Sequence, residues 1–217
     1  MLEKRKPIIG LTMGDPNGIG PEIIVKALTK LNSCLDWHPV IFGDAWVLEQ
    51  VVNKLGSNLQ LRKCENLDEL PVGPCIVDLK VHSGRNWNLG QVCAWGGESS
   101  FQFLKVAIEA ALANQIDAIT TAPISKTALH MAGHHFPGHT EILSALSNGA
   151  PPIMMLTVEG LRAVHVSTHV SLRNAIEQLQ PKRILEVAQV THDTPVSYTH
   201  LRAHETGRNL VCRHRRE

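Results

Sequence analysis

Short apolar runs alternate along the chain with longer stretches in which apolar residues recur every three or four positions. Apolar runs bounded by turn residues are typical of buried parallel strands, and the longer stretches are typical of helices packed on a sheet. The pattern predicts strands at 7–13, 38–43, 75–79 and 117–123 and helices at 21–31, 44–54 and 99–115. Such alternation predicts an α/β protein with a largely parallel sheet.

The helix over 99–115 has the most regular pattern of these segments. Ser99 and Gln102 have the spacing of a capping box, so the helix is expected to begin near Ser99. An apolar stripe is expected along one face, formed by Phe101, Leu104, Ile108 and Leu112.

Two further strands and two helices are predicted beyond residue 150. The strands are expected at 153–160 and 162–168, and the helices at 171–179 and from Pro181 onward. Ser171 is placed to cap the first of these helices.

The charge distribution argues against some classes of partner. The chain has 217 residues, 43% of them hydrophobic and 19% charged, with a formal net charge of +1. Its last 23 residues hold five arginines and two glutamates, and the rest carries 16 basic and 18 acidic side chains. This balance gives no electrostatic reason to expect binding to nucleic acid or to an anionic membrane.

The apolar segments and the cysteines indicate in which cellular compartment the protein is expected. No segment matches a signal peptide or a membrane span. The five cysteines include no CxxC pair, which argues against a zinc ribbon and a disulfide framework. We therefore expect a cytoplasmic protein with reduced thiols.

The segment 195–217 differs from the rest of the chain. It has no sustained apolar period, and it is rich in arginine and histidine. Part of it, SYTHLRAHETGRNLVCR, resembles a translated sequencing-adaptor stretch. We expect one folded region at 1–194 and a non-native basic tail at 195–217. An exposed native tail is the alternative.

A glycine-rich turn, GDPNGIGPE at 14–22, joins the first strand to the first helix. Backbone amides at such a helix start can receive an anion, which makes Gly18 and Gly20 candidates for an anion or cofactor contact. The spacing matches neither the dinucleotide fingerprint nor a P-loop. A plain tight turn fits the sequence about equally well.

Lys126 lies in TTAPISK, just beyond the strand at 117–123. Ligands of open α/β sheets gather beyond the carboxyl ends of the strands, so Lys126 could meet an anionic group there. A solvated surface lysine is the alternative.

Four histidines occur within ALHMAGHHFPGHTEIL at 128–143. His130 and His134 could share a helical face, but no H-E-x-x-H motif is present, and glycine and proline interrupt any helix through the cluster. We therefore expect surface or packing roles for His130, His134 and His135. His139, with Thr140, opens a new helix after Pro-Gly, where polar groups can face a ligand.

His169 closes the predicted strand at 162–168 within STHVSLR. A histidine at the carboxyl end of a strand is a plausible ligand. A packed histidine is the alternative that the residues alone leave open.

Four motifs in order, TMGDPNGIGPE, TTAPISK, FPGHTE and STHVSLR, resemble those of the 4-hydroxythreonine-4-phosphate dehydrogenase family. The spacings also agree, including the thirty residues between His139 and His169. The resemblance runs from about residue 7 to 192. It implies an isocitrate/isopropylmalate dehydrogenase-like two-domain α/β/α fold, incomplete here, and a homodimer.

The resemblance also implies roles for individual residues. His139 and Thr140 would bind substrate, with Lys126 a weaker candidate, and His169 would be one of three metal-binding histidines. The family's other two metal histidines lie in Asn-Pro-His-Ala-Gly and Tyr-His-Asp-Gln segments, which this sequence lacks. We therefore expect a C-terminally truncated chain that is itself inactive.

The implied chemistry is oxidation of 4-phosphohydroxy-L-threonine by NAD or NADP, with decarboxylation to 3-amino-2-oxopropyl phosphate in pyridoxal phosphate (vitamin B6) biosynthesis. A divalent metal (zinc, magnesium or cobalt) would act as Lewis acid on the hydroxyl oxygen. The sequence does not identify the general base.

Three other functions are compatible with the motifs. The nearest is a sister dehydrogenase of 4-phospho-threonate or 4-phospho-erythronate in sugar-acid catabolism. The others are a phosphate acyltransferase of related fold, which needs no metal triad, and a non-catalytic fragment that binds phosphate weakly.

Overall fold

The computed structural model describes residues 5–31, 36–81, 87–147, 152–158, 161–168 and 170–193. The chain divides into two compact units, residues 1–150 and residues 151–217. Each unit is described by itself. His169 and the predicted tail at 195–217 lie outside the described residues.

Strands and helices alternate in the first unit. Its elements are β1 (Ile8–Thr12), α1 (Gly20–Leu31), β2 (His38–Gly43), α2 (Ala45–Leu55), β3 (Arg62–Lys63), β4 (Cys75–Asp78), α3 (Ala94–Leu112), β5 (Ala118–Thr121), α4 (Lys126–Met131) and α5 (His139–Leu146). The five strands form one sheet in the order β3-β4-β2-β1-β5, and every pair is parallel. The predicted α/β fold with a parallel sheet is confirmed.

The sheet is covered on both faces because side chains alternate along each strand. On β2, Ile41 belongs to a cluster with residues of α1 and α2, such as Val25 and Leu48. Val40 and Phe42 belong to a separate cluster with Ala107 and Ala110 of α3. All three β2 side chains are fully buried, which explains why this strand reads as a continuous apolar run.

A third apolar cluster joins the later helices. Leu104 and Ile108 of α3 pack with Leu129 of α4 and Ile142 of α5, and all four are buried. Through this cluster α3 supports the histidine-rich segment between α4 and α5.

The strand order reverses between β1 and β5. The chain passes from β1 to β2 on one side, and later returns from β4 to β5 on the other side. The register pairs Thr12 with Thr121, so the loops that follow β1 and β5 leave the same edge of the sheet. In open α/β folds such a reversal creates a crevice beyond the carboxyl ends of the strands, where ligands bind.

The second unit contains β6 (Met155–Val158), β7 (Leu161–Val164), α6 (Leu172–Glu177) and α7 (Pro181–Asp193). β6 and β7 pair antiparallel, as predicted for the two apolar segments. Ser171 caps α6, since its hydroxyl accepts a hydrogen bond of 3.3 Å from the Asn174 N–H.

The start of α3 differs from the sequence prediction. The helix begins at Ala94, with Cys93 at the N-cap, so the predicted capping box at Ser99 is wrong. Ser99 lies inside the helix, where its hydroxyl donates to the Trp95 carbonyl at 2.8 Å. Leu112, predicted to join the apolar stripe, is 49% exposed at the end of the helix.

The short strand β3 was not predicted, because two charged exposed residues carry no apolar signal. Within the described residues, no helix is long and apolar enough to cross a membrane.

Candidate functional site

The loop after β1 folds back on itself through buried polar groups. Asp15 is 5% exposed, and its carboxylate accepts a hydrogen bond of 2.9 Å from the Asn17 N–H. The Asp15 N–H donates to the Pro123 carbonyl at 3.1 Å, which ties this loop to the segment after β5. The two loops at the strand reversal are therefore one packed structure.

Glycine is required in this loop by close backbone approach. Gly14 has φ +69°, and a Cβ there would lie 2.3 Å from the Pro123 carbonyl oxygen. A Cβ at Gly20 would lie 2.2 Å from the Met13 carbonyl oxygen. The Gly18 N–H donates to the Asp15 carbonyl at 2.9 Å, so it is engaged within the loop. The anion contact at Gly18 and Gly20 stays a prediction.

Asn17 is a buried polar residue that the sequence reading did not select. It is 3% exposed, and its Nδ2 donates to Cys93 Sγ at 3.2 Å. Its Oδ1 is buried without a hydrogen-bond partner among the described residues. The position of Asn17 in the sequence could have indicated a role, because polar residues in the loop after a buried strand lie at the ligand-binding edge of a parallel sheet.

Burial increases the proton affinity of the Asp15 carboxyl. Burial raises the pKa of its carboxyl above the ordinary value, against the opposing effect of the Asn17 N–H. The folded state therefore holds the Asp15 proton more tightly than the unfolded state, so this group's contribution to stability falls as pH rises through the folded pKa.

Asp15→Asn is expected to make the free energy of unfolding less dependent on pH. The amide keeps the oxygen that accepts a hydrogen bond from the Asn17 N–H, and it never ionises. Unfolding in urea at about pH 4 and about pH 7 measures the effect. Asp68→Asn, at an exposed position, is the matched control. The expectation is contradicted if the stability of Asp15→Asn changes between the two pH values by as much as the stability of the unsubstituted protein.

His139 begins α5 and contacts the segment after β5. Burial lowers the pKa of its imidazole, while a hydrogen bond with the Ala122 backbone opposes the shift. Nε2 is buried without a hydrogen-bond partner among the described atoms. In a neutral imidazole that carries its proton on Nδ1, the Nε2 lone pair is an acceptor.

The other two predicted substrate residues lie in the first turns of α5 and α4. Thr140 is half-buried in the first turn of α5, beside His139. Lys126 is the first residue of α4 and is exposed, and Ser125 before it caps the helix by accepting a hydrogen bond of 3.2 Å from the Ala128 N–H.

The remaining histidines of the segment have the expected surface and packing roles. His130 and His135 are exposed, with ring centroids 5.5 Å apart. His134 stacks on Phe101 of α3, with ring centroids 3.8 Å apart, and its Nε2 lies 2.7 Å from a carboxylate oxygen of Glu98. No sequence signal connects Glu98 with His134, since they are 36 residues apart.

The described residues do not form a metal site. Among them, no group of three or more histidine, cysteine, aspartate or glutamate side chains lies close enough to hold a metal ion. His169, the predicted metal ligand, is not among the residues that the structure describes, so its role stays a prediction.

Comparison with known proteins identifies relatives along most of the chain. A relative from Oceanobacillus iheyensis, named provisionally as a D-threonate 4-phosphate dehydrogenase, is 40% identical over 194 residues, which are 88% of this chain and 58% of the relative. The D-threonate 4-phosphate dehydrogenase of Cupriavidus necator is 37% identical over 87% of this chain and 57% of its own length. The chain thus spans less than three fifths of the length of these relatives.

Solved structures support the same relationship. The crystal structure of a 4-hydroxythreonine-4-phosphate dehydrogenase from Burkholderia phymatum superposes with a TM-score of 0.80 at 35% identity, over 87% of this chain and 58% of that chain. The family described as pyridoxal phosphate biosynthetic protein PdxA matches residues 36–205. This match includes the histidine-rich segment and most of the second unit, and the chain belongs to the PdxA family.

Proposed function

We propose that this chain contributes the substrate-binding half of an NAD- or NADP-dependent dehydrogenase that oxidises the secondary alcohol of a phosphorylated hydroxy acid. The observation that carries the proposal is the buried, unpartnered Nε2 of His139, held beside the loops at the strand reversal. A buried polar atom without a partner is costly, and a ligand hydroxyl would satisfy it. The names of the PdxA relatives support the same class of reaction.

The chemistry follows from the protonation state of the imidazole. Because burial lowers the pKa of His139, the ring is neutral near pH 7 and Nε2 accepts a hydrogen bond from a substrate hydroxyl. Thr140 would supply a second hydrogen bond from the same helical turn, and Lys126 would attract the phosphate or carboxylate. Two fixed contacts would orient the reacting carbon toward the nicotinamide. The groups that cover Nε2 must move when substrate enters.

The relatives support two substrates. One candidate is 4-phosphohydroxy-L-threonine, whose oxidation and decarboxylation would serve pyridoxal phosphate biosynthesis, and the other is 4-phospho-D-threonate. The two share the phosphate and the secondary alcohol and differ at C2, where the first carries an amino group and the second a hydroxyl. The contacts proposed for His139 and Lys126 suit both substrates.

The cofactor, the metal and the assembly belong to the proposal as well. NAD or NADP would accept the hydride, and a divalent ion bound in part by His169 would act on the hydroxyl oxygen. The described residues by themselves do not supply a site for this ion. A homodimer in the cytoplasm is proposed for the intact enzyme.

Isothermal titration calorimetry of the purified chain with each phosphorylated substrate tests the proposal. We expect saturable binding of at least one of the two, and the ligand that binds more tightly identifies the preferred substrate. Inorganic phosphate is the control, since a fragment that only binds phosphate would treat all three alike. Acetyl phosphate tests the acyltransferase alternative. Equal affinity for every phosphate compound, or binding of none, would overturn the proposed function.

A further inference from the structure

The loop 132–138 between α4 and α5 is held against α3 by an aromatic layer. Phe101 stacks on His134 with ring centroids 3.8 Å apart and planes 15° apart. On the same loop, Phe136 lies nearly parallel to Phe101 with centroids 6.1 Å apart. Phe101 and Phe136 both pack against the apolar cluster of α3, α4 and α5. The aromatic contacts therefore hold two loop residues, His134 and Phe136, against the Phe101 side chain of α3.

A hydrogen-bonded pair of side chains also holds the loop against α3. His134 Nε2 lies 2.7 Å from Glu98 Oε2, while Gln102 Nε2 donates to Glu98 Oε1 at 2.8 Å. Both carboxylate oxygens are therefore engaged. The hydrogen bond from Gln102 is the largest single cause of the lowered pKa of Glu98, and His134 lowers this pKa as well. The His134 side chain is only 21% exposed, so the pair is partly shielded from water.

The start of α5 depends on this loop because it has no side-chain cap of its own. Gly138 occupies the N-cap position and offers no side chain to accept from the first turn. His139 is the next residue, and its ring forms a hydrogen bond with the Ala122 backbone. The preceding loop must therefore set where α5 begins and where the His139 ring points.

We propose that Glu98 and His134 are positioning residues, which hold the 132–138 loop on α3 and thereby place His139 at the strand reversal. Neither residue needs to touch substrate. Glu98 anchors the loop through the hydrogen bond to His134, and Phe101 keeps the imidazole in the plane that this bond requires. The pair determines the location of His139, while the consequence for substrate affinity rests on the proposed function.

The test uses two readouts on the purified chain. The first is the proton NMR shift of the His139 ring, assigned as the resonance that disappears in His139→Gln. The second is affinity for the phosphorylated substrate by calorimetry. We expect Glu98→Gln and His134→Leu each to shift the His139 resonance and to weaken substrate binding by about three- to tenfold, as loss of a partly exposed pair and of stacking suggests. Glu109→Gln, another exposed glutamate of α3 paired with a lysine, is the matched control and should change neither.

A rescue variant separates positioning from general loss of structure. His134→Gln can still donate to Glu98 from its side-chain amide, so it is expected to restore part of the His139 shift and part of the affinity relative to His134→Leu. A His134→Gln protein no better than His134→Leu would overturn the role of the hydrogen bond. Unchanged His139 resonances in both Glu98→Gln and His134→Leu would overturn the proposal altogether. If the unsubstituted chain binds no substrate, the proposed function fails, while the NMR comparison still decides the positioning role.

Discussion

Gly97→Ala is expected to lower the free energy of unfolding by about 2–3 kcal/mol, because the added methyl group would overlap the backbone of a neighbouring helix. A Cβ at Gly97 of α3 would lie 2.0 Å from the Ala128 carbonyl oxygen and 2.6 Å from the Leu129 nitrogen of α4. Backbone atoms cannot rotate away as a flexible side chain can. The helices would have to separate, and the apolar cluster they share with α5 would open.

Urea unfolding followed by circular dichroism measures this effect. Alanine is otherwise a better helix former than glycine, so packing opposes a favourable change in propensity. Glu109→Ala is the matched control, because Glu109 is an exposed residue of the same helix. An unfolding midpoint that is the same for Gly97→Ala as for the unsubstituted chain would contradict the close packing of α3 and α4.

His139→Ala is expected to weaken binding of the phosphorylated substrate by roughly 10- to 100-fold, which corresponds to one hydrogen bond to a buried or charged group. The expected cause is loss of the Nε2 acceptor, which is buried and has no hydrogen-bond partner among the residues that the structure describes. Folding should suffer less than binding, because the substitution also removes that unsatisfied atom. His135→Ala is the control, since His135 is exposed and lies four residues earlier.

The affinity for substrate should also fall in acid. As pH decreases below the ordinary histidine value of about 6.5, the unfolded chain takes up a proton that burial withholds from the folded imidazole. The fold is therefore destabilised in that range, and below the lowered pKa Nε2 itself is protonated and can no longer accept. Calorimetric titrations with substrate at several pH values below about 6.5 measure the loss of affinity. Equal substrate affinity in His139→Ala and in the unsubstituted chain would show that His139 does not contact the ligand.

The main elements of the fold could be predicted because their signals are local. A fully buried strand such as β2 needs apolar residues on both faces, and this requirement is visible in the sequence. The predicted and observed strands 38–43 coincide. The start of α3 could not be predicted, because residues 94–98 include two glycines that contact Asp15 and α4 rather than follow an apolar period. β3 consists of two charged residues, Arg62 and Lys63, so its pairing with β4 leaves no apolar trace in the sequence pattern.

For the candidate site, local pattern and family resemblance were enough to select His139 and Thr140, since Pro-Gly ahead of a new helix presents polar side chains at a turn. The sequence by itself therefore determined the α/β class, most of the elements and the identity of the residues proposed to meet substrate. Only the tertiary structure decided that Asn17 is buried, with a side-chain oxygen that has no hydrogen-bond partner within the described part of the chain. Only the tertiary structure brought Glu98 to His134, 36 residues further along the chain. These features depend on which helix packs against which loop, and such long-range contacts arise from the whole fold rather than from any local period.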